Sequence, residues 1–260
     1  MRFFYEEHGE GFPIILLHAF PLDRSMWHMQ TEALISAGFR VILPDLGGFG
    51  ENNIFSDPNT MENSASEILA LLDHLNIERA VIGGLSMGGY VSFNLYRIAP
   101  ERFESLLLFD TTPTADTPEK REARFDLIKN IEAEGSQTLS KKMLPNLVSE
   151  QTKKENPELY ANLEERFRKV NPKAAIAALR GMASRLDHTY LLEKIEVPTL
   201  LIFGEEDRVT NLDAAKLLNS RIPSSELQII PGAGHFSNLE APETFNRFLL
   251  EFLLKHEFKR

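Results

Sequence analysis

The 260-residue chain contains no cysteine. Disulfide bonds, thiolate metal sites, iron–sulfur clusters and cysteine nucleophiles are therefore excluded. Positive charge is also scarce, since 28 lysine and arginine residues stand against 38 aspartate and glutamate residues, for a formal net charge of −10. Nucleic acids and anionic membranes attract basic surfaces, so we expect neither as a partner.

Long apolar runs are absent as well. No stretch approaches the roughly 18 uninterrupted apolar residues of a membrane helix. The opening residues, Met1–Glu7, carry two acids and lack the apolar core of a secretory signal. We therefore expect a cytoplasmic protein. With 43% apolar and 25% charged residues, the composition is that of an ordinary globular chain, and its length fits one α/β domain with an insertion.

Short apolar runs alternate with amphipathic stretches along most of the chain. Continuous apolar runs of this length suit parallel strands that are covered on both faces. Their alternation with helical patterns predicts a parallel sheet with helices on both sides. Arg2–Glu7 is expected to add an antiparallel edge strand. The internal runs are Ile14–His18, Arg40–Leu43, Arg79–Gly83, Ser105–Phe109, Thr199–Gly204 and Leu227–Ile230.

The alternation stops between Thr111 and Ile195, where charged amphipathic stretches punctuated by prolines replace the apolar runs. Proline suits a first helical turn or a break, so these stretches predict helices. We interpret residues 111–195 as a helical cap inserted into a core formed by residues 1–110 and 196–260. A separate linker domain is the alternative, but strand patterning resumes cleanly at Thr199, which favours an insertion. The predicted cap helices are Thr117–Glu134, Glu155–Val170 and Pro172–Leu186.

A G-x-S-x-G pattern spans Gly84, Ser86 and Gly88, with a strand-like run before it and the helical pattern Met87–Ile98 after it. In this context the serine occupies a tight, strained turn that requires tiny neighbours and projects the hydroxyl above the sheet. A purely structural glycine-rich turn is the alternative interpretation. The strand–turn–helix context favours Ser86 as a nucleophile.

A serine hydroxyl needs an adjacent base, and His235 is the candidate. It lies in the glycine loop Pro231–Ser237, just past an apolar run, where α/β sheets place their chemistry. The acid that orients the base is expected between serine and histidine in the sequence. Asp207 follows a later run and fits best, with Glu205 and Glu206 beside it. Asp110, which ends an earlier run, stays open as the rival.

Acyl transfer also needs two backbone N–H groups facing the oxygen that becomes negative. One belongs to the residue after the nucleophile, Met87. The other is expected at Phe20, in the loop after the first internal strand. We expect His18 to hold this loop structurally, and Trp27–Ala37 to form the next helix.

These motifs resemble those of the α/β-hydrolase superfamily along essentially the whole chain. They comprise the loop His18–Pro21, the turn Pro44–Gly50, the elbow Gly84–Gly89, and the loops around Asp207 and His235. Within the superfamily the chain is most similar to the esterase-like branch that contains 3-oxoadipate enol-lactonases, aryl esterases and cofactor-free perhydrolases. The resemblance implies an α/β-hydrolase fold with a mostly parallel, eight-stranded sheet and a helical cap.

The chain departs from the superfamily pattern in two loops. Ala19 stands where relatives often carry glycine, which changes the loop that holds the second N–H donor. Gly47 and Asn52 stand where relatives often carry an arginine and a serine. We therefore expect a structural hydrogen-bonded anchor to be missing from the second loop.

Together these features predict a serine hydrolase with Ser86, Asp207 and His235 as its triad, acting on a small ester or lactone. A thioester or C–C bond hydrolase, a perhydrolase and a triad-bearing receptor with little turnover remain open. No cofactor and no metal are expected, since the chain has no ligand cluster of the H-E-x-x-H kind. The expected partner is a small-molecule substrate. The cap is expected to contact the substrate, and ordinary packing within the cap explains its candidate apolar residues equally well. These candidates are Phe125, Leu127, Met143, Leu147 and Phe167.

Overall fold

A computed structural model describes residues 2–256 and 258. These residues form one seven-stranded sheet in the order β1-β3-β2-β4-β5-β6-β7, in which β1 alone pairs in antiparallel fashion. The α/β fold expected from the sequence is confirmed. The strands are β1 (Tyr5–His8), β2 (Phe12–Leu17), β3 (Phe39–Pro44), β4 (Ala80–Leu85), β5 (Phe103–Phe109), β6 (Thr199–Gly204) and β7 (Ser225–Ile230).

The expected strand count of eight is wrong by one. The apolar runs themselves, with the opening stretch, number seven, and each of them forms a strand. The eighth strand came only from the family resemblance. Among the described residues no further strand pairs with the outer edge of β1, and residues 2–4 are not part of any strand.

Strands β2 to β6 are buried along nearly their whole length. Burial on both faces explains why their sequences are continuous apolar runs rather than alternating patterns. Since β2 to β7 are parallel, their carboxyl ends open at one edge of the sheet. The loops that follow β2, β4, β5, β6 and β7 therefore lie at that edge, and they carry the candidate site residues, with Asp110 directly after β5.

Helices cover the sheet, with α1 packed against α12 and α2 packed against α3. Within the described residues no helix combines the length and apolar character needed to cross a bilayer. The helices are α1 (His28–Ser36), α2 (Met61–His74), α3 (Met87–Ile98), α4 (Pro118–Glu134), α5 (Gln137–Lys142), α6 (Leu144–Leu147), α7 (Glu150–Glu155), α8 (Pro157–Lys169), α9 (Pro172–Ala183), α10 (Leu212–Arg221), α11 (Ser237–Glu240) and α12 (Pro242–Lys255).

Residues 111–195, which we call the helical segment, connect β5 to β6 through helices α4 to α9. Helix α9 faces the core, because Asn59 donates its backbone N–H to Ala177 O at 3.0 Å and a Cβ at Gly181 would collide with the Asn59 carbonyl. Small residues along α9 allow this close backbone approach. Helix α4, in contrast, buries only Ile128 and Ile131 and exposes most of its charged side chains, with Arg124 partly covered.

Candidate active site

The turn between β4 and α3 holds Ser86 in a backbone conformation that few side chains adopt, with φ 54° and ψ −109°. Close packing around the turn explains its glycines. A Cβ at Gly84 or at Gly88 would collide with the carbonyl oxygen of Leu17 at the end of β2. The strained conformation is held by neighbours, since Thr111 Oγ1 donates to Ser86 O at 2.9 Å.

The sequence predicts two oxyanion donors, the backbone N–H groups of Phe20 and Met87. Neither the Phe20 N–H nor the Met87 N–H donates to any residue in the described part of the chain. Met87 is the first residue of α3, so its N–H lies among the unpaired donors at the positive end of the helix dipole. Both residues are buried. Unpaired N–H donors of this kind are what an oxyanion site requires.

His18 holds the Phe20 loop, as the sequence suggested. Its Nε2 accepts from the Leu46 N–H at 2.9 Å, and its Nδ1 lies 3.1 Å from Ala19 O, so the ring joins the loops after β2 and β3. Burial lowers the pKa of His18 below its ordinary value and favours the neutral ring.

The expectation that Gly47 and Asn52 leave the second loop without an anchor is wrong. The Asn52 side-chain amide donates to the Asp45 carbonyl at 3.0 Å. The Asp45 carboxylate in turn pairs with the Arg24 guanidinium and accepts from the Glu51 N–H at 2.9 Å. Arg24 and Asn52 therefore hold this loop through the carboxylate and the carbonyl of Asp45.

His235 and Asp207 lie in direct contact. His235 Nδ1 is 2.8 Å from Asp207 Oδ2, and the two residues are 1% and 6% exposed. The other carboxylate oxygen accepts the backbone N–H groups of Val209 and Thr210 at 2.7 and 3.1 Å. Burial would raise the pKa of Asp207, but His235 and the Thr210 hydroxyl more than offset it, so this pKa lies below its ordinary value. Asp207 is therefore held as a carboxylate.

Asp110, the rival acid, contacts other groups. Its carboxylate accepts from the Gly204 N–H at 2.8 Å and from the Ser237 hydroxyl. Burial, together with the negative charge of Asp207, raises the pKa of Asp110 well above its ordinary value. Asp110 thus joins the ends of β5 and β6 to α11, while the imidazole contacts Asp207.

The Ser86 hydroxyl makes no hydrogen bond with any other described residue, and the serine is 9% exposed. The structure thus brings the base and the acid together and places the serine on the same sheet edge without a bond to the imidazole. Catalytic hydrogen bonds are often long in unliganded enzymes and tighten when substrate binds. Across the described residues no cluster of three His, Asp or Glu side chains is arranged to hold a metal ion.

Three residues that support this edge were not predicted from the sequence. The Thr210 hydroxyl donates to Asp207 Oδ2, and its position three residues after an aspartate was a usable turn signal. Thr111 supports the Ser86 carbonyl. Glu240 accepts backbone N–H groups on both sides of His235, and no local pattern marks it.

Comparison with known proteins gives consistent matches. Residues 13–242 match the alpha/beta hydrolase fold family. A thermophilic esterase from Thermogutta terrifontis, solved with malate bound, superposes with a TM-score of 0.94 at 37% identity, covering 98% of this chain and 93% of that one. The enol-lactonase from Burkholderia xenovorans LB400 gives 0.89 at 27% identity, with coverage of 97% and 96%. The AB hydrolase superfamily protein YisY of Bacillus subtilis (strain 168) is 30% identical, covering 96% of this chain and 94% of the relative.

Proposed function

The chain belongs to the α/β-hydrolase family, and from that premise we propose that it is a serine hydrolase that cleaves a small carboxylic ester or lactone. Ser86 is the nucleophile, His235 the general base, and Asp207 the acid that orients the base. The observation that carries the proposal is the 2.8 Å contact between His235 Nδ1 and a buried carboxylate, on the same sheet edge as a strained serine turn.

The proposed reaction has two acyl-transfer steps. His235 Nε2 takes the Ser86 proton while Oγ attacks the substrate carbonyl, and it then protonates the leaving alkoxide. The acyl group is left on Ser86 Oγ. A water molecule, deprotonated by His235, then attacks the acyl-enzyme, and the proton returns to Ser86 as the carboxylic acid leaves. In a lactone the leaving alcohol stays attached to the acyl group, so one ring-opened product results.

The proposed oxyanion donors are the N–H groups of Phe20 and Met87. Each such donor typically contributes about 3 kcal/mol to the stability of the transition state. Their lack of other acceptors supports the assignment, because donors that are already free need no reorganisation during the reaction. The Ser86 hydroxyl must come within about 2.6–3.2 Å of His235 Nε2 as substrate binds.

We extend the proposal to the division of the chain. The helical segment acts as a cap over a core formed by residues 1–110 and 196–260. In support, the segment contributes the Leu147 carbonyl that accepts the His235 N–H at 2.9 Å. Names of the matched esterase and enol-lactonase agree with an ester or lactone substrate for this chain.

A fluorophosphonate probe tests the proposal, because it reacts with an activated serine. We expect stoichiometric labelling at Ser86, saturable hydrolysis of p-nitrophenyl acetate, and loss of both in Ser86→Ala. A panel of short esters and lactones, scored as kcat/KM, then identifies the preferred leaving group. Folded protein that neither accepts the label nor turns over any member of the panel would refute the assignment.

A further inference from the structure

Glu240, at the end of the short helix α11, places its carboxylate against three backbone N–H groups. One oxygen accepts from Gly234 N at 3.0 Å and from Ser149 N at 2.9 Å, and the other accepts from Phe236 N at 3.2 Å. Gly234 and Phe236 are the residues immediately before and after His235. Ser149 belongs to the helical segment. One side chain therefore joins the histidine loop to the segment above it.

We propose that Glu240 is a positioning residue that holds the backbone of His235 in register with Asp207 and with the helical segment. The inference rests on the proposed function, since it concerns the base of that reaction. Glu240 itself touches neither the reacting atoms nor the imidazole ring. It acts through the peptide groups on either side of the base.

The rest of the loop shows what Glu240 adds. On the side of the acid, the Glu206 N–H donates to Ala233 O at 2.8 Å, which ties the loop to the turn that carries Asp207. On the opposite side the anchors are the His235 N–H, which donates to Leu147 O, and the Glu240 carboxylate. Without Glu240, the Gly234 and Phe236 N–H groups lose their acceptor and the bond to Ser149 is lost, while the His235 N–H keeps its bond to Leu147 O.

The glycine before the histidine fits this arrangement. A Cβ at Gly234 would lie 2.7 Å from Ser149 N and 2.9 Å from a Glu240 carboxylate oxygen, so only glycine leaves room for the bridge. The sequence motif attributes this glycine to a catalytic loop in general terms. In the structure, the absence of a side chain at Gly234 lets the His235 loop approach the Glu240 carboxylate.

The chemistry of the contact separates its conservative variants. An ionised carboxylate can accept bonds at both oxygens, and charge-assisted bonds to N–H groups are stronger than neutral ones. In Glu240→Gln one oxygen can still serve Gly234 and Ser149, but an NH₂ group then faces the Phe236 N–H. Glu240→Ala removes every acceptor. We therefore expect kcat to decrease in the order wild type, Glu240→Gln, Glu240→Ala.

The experiment compares Glu240→Gln and Glu240→Ala with Glu243→Gln, which removes one exposed carboxylate in the first turn of α12. With p-nitrophenyl acetate we expect kcat to fall about 100-fold in Glu240→Ala and about tenfold in Glu240→Gln, because misplacement of a catalytic group by about 1 Å costs on this order. KM should stay within about threefold, since the substrate contacts are intact. The control should retain wild-type kcat and KM.

A second readout does not depend on turnover. The solvent exchange of the His235 Nδ1 proton, followed by NMR, reports how firmly the ring is held against Asp207. We expect exchange at least about tenfold faster in Glu240→Ala than in wild type and Glu243→Gln, as local opening becomes easier. If wild type fails to hydrolyse esters but shows this difference in exchange, the proposed function falls and the positioning role stands.

Three results would overturn the inference. The first is wild-type kcat in folded Glu240→Ala, and the second is unchanged Nδ1 exchange. The third is a loss of activity that tracks only the fraction of protein unfolded at the assay temperature, as a purely structural contact would give. If Glu240→Ala does not fold, Glu240→Gln decides by the same criteria.

Discussion

The loops at the carboxyl edge of the sheet and the helical segment above them are held in place by different forces. The loops that carry Phe20, Ser86 and Asp207 follow the buried strands β2, β4 and β6, and the His235 loop follows β7, which pairs with β6, so the register of the sheet sets their positions. The helical segment has no such frame. It rests on close backbone contacts along α9, on apolar packing that includes Phe167 against Phe236, and on polar contacts with the core. The candidate site residues thus lie on loops that the sheet positions, and the helical segment packs against them.

Asp116 shows how the segment is tied down. Its buried carboxylate pairs with Arg124 of α4 and with Arg185 beyond α9, each at 2.6 Å. Burial alone would raise the pKa of Asp116, but the two guanidinium groups more than offset it, so this pKa is lowered. The Arg185 guanidinium also lies over the Tyr90 ring at 4.3 Å. Both ends of the segment therefore meet at one carboxylate beside α3, the helix that follows Ser86.

The largest expected effect concerns the two buried aspartates at the sheet edge, Asp207 and Asp110, and tests which of them orients His235. We expect Asp207→Asn to lower kcat about 10⁴-fold, because an amide facing Nδ1 favours the wrong imidazole tautomer. Asp110→Asn should cost less than about tenfold, since its amide can still accept from the Gly204 N–H and bond the Ser237 hydroxyl. Steady-state kinetics on both variants, with thermal unfolding to confirm folding, measure the difference. A larger loss in Asp110→Asn would reverse the assignment of the acid.

Replacing a glycine by alanine should lower the free energy of unfolding by different amounts in the two regions. At Gly88 a Cβ meets the backbone of β2, which cannot move without disturbing the sheet, so Gly88→Ala should destabilise the fold by about 4 kcal/mol or more. Gly135, in the helical segment, has φ 79° and open space around it, so Gly135→Ala should cost only backbone strain of about 1–3 kcal/mol. Denaturant unfolding of both variants gives the two free energies. Equal losses would show that the segment is as rigid as the sheet.

Features governed by local chemistry could be predicted from the sequence. The elbow around Ser86 requires glycine at 84 and 88 for steric reasons, and such a requirement leaves a visible motif. Apolar runs marked β2 to β7, and for β2 to β6 the reason is physical, since burial on both faces excludes polar residues. The resemblance to the α/β-hydrolase superfamily and its esterase-like branch is confirmed by the comparisons.

Features that depend on which loops meet in space could not be predicted in the same way. Asp110 and Asp207 each follow a strand, and only the packing of β5, β6 and α11 determines that Asp110 is occupied by Gly204 and Ser237. The contact between Glu240 and Ser149 joins residues 91 positions apart. Neither residue carries a local signal, because its partners are set by tertiary structure.

The smallest expected effect is at His188, where the helical segment returns to the core and the imidazole stacks on Phe93 of α3. Burial, helped by the charges of Arg97 and Arg185 and opposed by Asp187, lowers the pKa of His188 to about 4. Neither ring nitrogen has a hydrogen-bond partner among the described residues. Protonation is therefore disfavoured in the folded state. As the pH falls below about 6.5, the unfolded chain binds a proton that the folded chain refuses until about pH 4.

This difference makes stability decline between pH 6.5 and 4, and the part due to His188 should be about 2 kcal/mol at pH 5. His188→Gln removes the titrating group, so its unfolding free energy should fall by about that much less than the wild-type value between pH 7 and pH 5. His28→Gln, an exposed histidine in α1, serves as the matched control and should follow the wild-type curve. If the unfolding free energies of wild type and His188→Gln change in parallel with pH, His188 is protonated as readily in the folded protein as in the unfolded chain. The helical segment would then meet the core through a more open contact than its buried, stacked imidazole indicates.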